Sequence, residues 1–125
     1  MSNKEFHQKV LIIYSEPTLL TTDSVDPNII TLLVGTKGAL KLSFLLRNDA
    51  VDYLVALNWK NEFSDSEYHA SWGWISNQID GNVYGILDDI NERNIQTKDL
   101  DNGIKLISKD DVSALMNENH VIFVY

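Results

Sequence analysis

A chain of 125 residues, 44% hydrophobic and 22% charged, has the size and balance of one folded domain and not of a disordered segment. It contains no cysteine, which excludes disulfides, zinc–thiolate sites and a thiol nucleophile. The formal charge is −8 with the ten bases scattered singly, so direct binding of DNA or RNA, which needs clustered Lys and Arg to displace counterions, is not expected.

Met1 to Lys9 is polar and charged and lacks the apolar centre of a signal peptide. The apolar stretches fall far short of the roughly 20 residues that span a bilayer, so the expected location is the cytoplasm. Val10 to Tyr14 is β-branched and aromatic and predicts a short buried strand. Thr18 to Pro27 is rich in Thr, Ser and Asp and reads as loop. Ile29 to Val34 and Ala39 to Leu46 flank Gly35-Thr-Lys-Gly38, which predicts a hairpin. Within the second run Leu40, Leu42, Phe44 and Leu46 recur with period two, the mark of a half-buried strand.

Residues 50–60 fit either a strand or a helix, and their aromatic and β-branched content favours the strand. Tyr68, Ala70, Trp72 and Trp74 would share one face of an extended segment. Val83, Ile86, Leu87 and Ile90 fall at helical spacing, with Asp88, Asp89 and Glu92 pointing away from that stripe. Asp101-Asn-Gly103 is a tight-turn signal before an apolar run from Ile104 to Ile107. Ser108 and Asp111 have the spacing of a capping box ahead of a short helix carrying Val112, Leu115 and Met116. His120 to Tyr125 reads as a final strand tied into the sheet. Strands first and helices late predict an α+β fold: one domain over residues 1–125, a largely antiparallel sheet of about five to six strands, and two short helices in the C-terminal half.

Charge is unevenly placed. Residues 1–60 carry six bases and six acids, whereas residues 61–125 carry four bases and twelve acids, so the whole net charge lies in the second half. Between Asn61 and Glu92 stand seven acids and neither Lys nor Arg. Such a surface bears on partners and solubility more than on fold.

No chemical motif competes with that asymmetry. Asp65, Glu67 and His69 would share a strand face and could hold a divalent metal in a small hydrolase, but a solvated strand face explains them as well. The stretch from Asp99 lacks the glycine and glutamate placement of a calcium loop, and Gly35 to Gly38 lacks phosphate-loop spacing. Asp88–Asp89 and Asp110–Asp111 are adjacent pairs that do not face each other on a helix, and they read as first-turn acids favoured by the dipole. Trp59, Trp72 and Trp74 read as core, with a partner-facing cluster as the alternative. No cofactor and no metal are expected.

An acidic, cysteine-free α+β domain with one charge-polarised face resembles the bacterial immunity proteins that neutralise contact-dependent and related secreted toxins. The resemblance implies a non-enzymatic inhibitor that binds a basic toxin domain, such as a nuclease, with carboxylates standing where phosphates would sit. The residues read as partner-binding are Glu62, Asp65, Glu67 and Tyr68, with Asp88, Asp89 and Glu92 as the rival group. Phage-encoded inhibitors and nucleic-acid mimics share the same gross features and form the alternative. An assembly subunit pairing through Val121 to Tyr125 is a third reading.

Overall fold

In the computed structural model the described residues are 8–15, 40–55, 72–78 and 82–124. Five strands, β1 (Gln8–Tyr14), β2 (Leu40–Leu46), β3 (Val83–Ile86), β4 (Ile104–Ile107) and β5 (Val121–Val124), form one sheet in the order β4-β3-β2-β1-β5. Every neighbouring pair is parallel. The expected antiparallel α+β arrangement is therefore wrong, and the fold is α/β.

The error traces to the crossovers. Residues Asn48–Leu54 form a 3-10 helix where a strand was expected, and Trp72–Gln78 form helix α1 where an extended segment was expected. The segment expected to be one helix from Val83 is instead strand β3 followed at once by helix α2 (Leu87–Glu92). With no loop between strand and helix, the apolar spacing of Val83, Ile86, Leu87 and Ile90 blends two periods and conceals the strand. Helix α3 (Val112–Asn117) then leads to β5, as expected. The segment 29–38, read as one strand and a hairpin turn, lies outside the described residues.

Burial on both faces explains why the central strands are apolar throughout. Val10 to Tyr14 are all buried, as parallel strands covered on two sides must be. On one face Val10, Ile12, Tyr14, Leu42, Phe44 and Val83 pack under Val51 and Leu54 of the 3-10 helix, Trp72 and Ile75 of α1, and Ile90 of α2. On the other, Leu11, Ile13, Leu45 and Ile86 pack under Val112, Leu115 and Met116 of α3. Each such fully buried side chain stabilises the fold by about 1.5–3 kcal/mol.

This two-sided arrangement follows from topology. From β2 to β4 the chain steps in one direction across the sheet; from β4 to β5 it returns past the starting strand. With right-handed connections, reversing direction moves the crossover to the opposite face. That is where α3 lies. Among the described residues no helix is long and apolar enough to cross a membrane. At the β5 border of the sheet Phe123 and Val124 are exposed.

Candidate functional site

Open parallel sheets bind ligands beyond the carboxyl ends of their strands, so that edge is the first place to look. Here it gathers the residues that follow each strand. After β1 and β2, Arg47 donates its backbone N–H to Tyr14 O (2.9 Å) and its Nε to Ser15 Oγ (2.9 Å). After β3, the Asp89 carboxylate is buried and accepts the Asn48 N–H at 2.8 Å. Asn48 has φ 54°, a left-handed conformation that Asn tolerates better than most residues. Asp88, one residue earlier, is exposed and accepts the Lys109 N–H at 2.9 Å.

That last bond joins two turns. Asp88 at the start of α2 and Asp110–Asp111 after β4 lie far apart in the chain, and the Lys109 backbone brings them to the same stretch of the carboxyl edge. Ser108 Oγ donates to Asp111 Oδ2 at 3.1 Å, so the expected capping pair meets side chain to side chain instead of capping backbone groups. Close by on α2 and the 3-10 helix, Arg93 pairs with Asp49 and, at 3.3 Å, with Asp52. Burial nevertheless pushes the Asp52 carboxyl above its ordinary range.

The sequence-derived sites divide accordingly. Glu62, Asp65, Glu67 and Tyr68, and with them the Asp65–Glu67–His69 metal reading, lie outside the described residues. Of the rival group, Asp88 is exposed on the carboxyl edge, Glu92 is exposed at the last residue of α2, and Asp89 is buried in a structural hydrogen bond. Asp49, Asp110 and Asp111 join that edge without having been singled out as docking residues; the Asp110–Asp111 doublet was the available signal. Trp72 is core: it packs against Phe44 at 5.0 Å and Tyr14 at 5.7 Å between ring centroids, with its indole nitrogen buried and unbonded among the described residues. Trp59 lies outside the described residues.

The amino edge has a different character. On the face covered by α3, a small cleft opens between the first residues of β1, β2 and β3 and the C-terminal end of α3. Lys9 and Lys41 stand directly opposite each other in register, and buried Ser43 and half-buried Tyr84 line the floor. Glu118 stands at the rim. Lys105, the register partner of Tyr84, places Nζ 5.8 Å from the tyrosine ring centroid. Burial, and then the charge of Glu118, raises the Tyr84 hydroxyl above its usual range and keeps it a proton donor. Asn119 Nδ2 donates to Leu115 O at 2.8 Å and closes the helix end beside the cleft. His120 anchors the neighbouring strands, accepting the Lys9 N–H at Nδ1 (3.0 Å) and donating its own N–H to Lys9 O (2.9 Å).

No protein-family model matches the chain, and no curated protein matches its sequence. Solved structures do. The ychN protein of E. coli superposes with a TM-score of 0.64 at 12% identity, covering 95% of this chain and 99% of that one. MTH1491, a protein of unknown function from Methanobacterium thermoautotrophicum, superposes with a TM-score of 0.55 at 13% identity, covering 93% and 98%. The likeness is one of fold. It agrees with the parallel α/β sheet, and at this identity it assigns no activity.

Proposed function

We propose that this chain is a non-enzymatic binding protein that docks on a basic protein partner through the acidic carboxyl edge of its sheet, with a toxin nuclease domain as the partner class. The observation that carries the reading is the Lys109 N–H to Asp88 hydrogen bond, which sets Asp88 beside Asp110 and Asp111, with exposed Glu92 one turn further along α2. Carboxylates so grouped form a negative field that steers a basic surface toward this edge. Asp89 supports that edge from inside by holding Asn48 and is not itself a contact residue. Glu62, Asp65, Glu67 and Tyr68 belong to the same reading on sequence grounds alone.

The test is association kinetics with the basic domain recovered by affinity purification from the native host. Reversing Glu92→Lys together with Asp110→Lys lowers the association rate roughly tenfold or more at low salt and flattens its salt dependence. Reversing Glu118→Lys, on the opposite edge, has little effect. Equal rates for all three proteins across a salt titration would remove the carboxyl edge as the docking face.

A further inference from the structure

The amino-edge cleft is chemically at odds with the rest of this molecule. The chain carries a net charge of −8, yet here two lysines project from directly paired positions of β1 and β2. Alternation along the strands puts both on the same face as Leu11, Ser43 and Leu45. Like charges directly opposed on neighbouring strands destabilise a sheet. Among the described residues no carboxylate comes within ion-pair distance of either lysine. The one carboxylate lining the cleft among the described residues is Glu118, and it makes no ion pair with either lysine.

The surrounding groups are predominantly donors. Ser43 is only 8% exposed and sits on a stripe whose other members, Leu11 and Leu45, are buried and apolar. A leucine or valine would suit that position better unless the hydroxyl serves something in the cleft. Tyr84 presents a neutral hydroxyl, and Lys105 over its ring adds a third cation to the same face. Asn119 is committed to Leu115 O and contributes a wall, not a donor. The cleft has room of about 70 Å³, enough for roughly five waters or one small tetrahedral ion.

We propose that this cleft binds a small tetrahedral oxyanion, inorganic phosphate or the phosphate group of a small metabolite, between the ammonium groups of Lys9 and Lys41 with the Ser43 and Tyr84 hydroxyls completing the donor set. Ammonium and hydroxyl donors to an oxyanion form charge-assisted hydrogen bonds, which are about twice as strong as neutral ones. Glu118, which also lines the cleft, opposes an anion there, so Glu118→Gln is expected to tighten phosphate binding. The site lies on the opposite edge from the acidic docking face and does not depend on that reading.

The experiment is titration of the purified chain with inorganic phosphate, sulfate, acetate and phosphoserine, followed by backbone amide NMR and thermal melting at low ionic strength. Phosphate and sulfate are expected to shift the amides of Lys9, Lys41, Ser43 and Tyr84 in a saturable way and to raise the melting temperature; planar acetate is expected to do neither. Phosphoserine binding as tightly as free phosphate would identify the ligand as a phosphorylated molecule, whereas exclusion of phosphoserine would identify the free ion. Lys9→Gln or Lys41→Gln weakens phosphate about tenfold. The same single substitutions should leave the ligand-free protein as stable or more stable at low salt, because they relieve the opposed charges; this readout needs no ligand. Absence of saturable shifts up to millimolar phosphate, or equal phosphate affinity in wild type and Lys9→Gln/Lys41→Gln, would overturn the proposal.

Discussion

The Asp89 carboxylate and the Asn48 backbone N–H lie 2.8 Å apart, and that bond fastens the first turn of α2, after β3, to the start of the 3-10 helix that follows the neighbouring strand β2. Asp89 is 2% exposed and the bond is part-buried, so its removal leaves the Asn48 N–H without this acceptor. Asp89→Ala is expected to cost about 2–3 kcal/mol, the value of a hydrogen bond to a charged acceptor. At about 4 °C per kcal/mol that is a fall in melting temperature of roughly 8–12 °C. Asp89→Asn keeps an acceptor and should cost about half as much. Equal melting of the alanine variant and the wild type would show that the bond contributes nothing.

Gly85 in β3 is required by packing. A Cβ there would sit 2.6 Å from Leu54 Cδ1, and Leu54, the last residue of the 3-10 helix, is fully buried. Gly85→Ala should destabilise by about 1–3 kcal/mol through overpacking. Leu54→Val in the same chain should recover part of that loss, so chemical denaturation of both singles and the double variant should reveal non-additive coupling. Strict additivity would mean that the two residues do not press on each other.

Gly103 closes the tight turn before β4 with φ +80°, and a Cβ there would meet Ser76 Oγ at 2.7 Å. Ser76, itself buried, donates that hydroxyl to Gly103 O at 2.7 Å. Gly103→Ala therefore combines a left-handed backbone penalty with a clash, and a loss of about 2 kcal/mol or more is expected from urea unfolding. Ser76→Ala removes the Oγ clash but keeps a Cβ 3.3 Å away and loses the hydrogen bond, so it should not rescue the alanine variant fully. A Gly103→Ala protein as stable as the parent would refute the turn geometry.

Tyr84 predicts how stability changes in alkali. Its hydroxyl is raised above the usual tyrosine value by burial and then by Glu118. Between the unfolded and folded values the folded protein keeps a proton that the unfolded chain has lost. The associated stability is therefore fully present below the unfolded value of about 10 and is lost as pH rises through the folded one. Tyr84→Phe should flatten that part of the alkaline fall in melting temperature, and Glu118→Gln should reduce it. Identical alkaline profiles for the parent and Tyr84→Phe would show that this hydroxyl is not linked to folding.

Some of the molecule was legible before any fold was known. The run Val10 to Tyr14 is apolar at every position and partly β-branched and aromatic, which suits a strand covered on both faces. The Asp101-Asn-Gly103 turn was legible because a left-handed residue is a local demand that glycine meets best. What misled was local ambiguity. In residues 48–55 the same β-branched and aromatic side chains suit a strand or a helical turn, and packing of Val51 and Leu54 onto β2 and β3 decided for the 3-10 helix. In residues 83–90 strand and helix abut, so neither period runs long enough to declare itself.

By itself the sequence determined the absence of thiol chemistry, the net charge and its confinement to the second half, and the apolar segments destined for the core, because each of these is a property of residues or of short windows. Tertiary structure alone decided that the strands run parallel, that Asp89 turns inward while Asp88 beside it faces solvent, and that Lys9 meets Lys41 across a strand pair. Those outcomes depend on register and on which helix covers which face, and both are set by contacts between residues far apart in the chain, where local propensity carries no information.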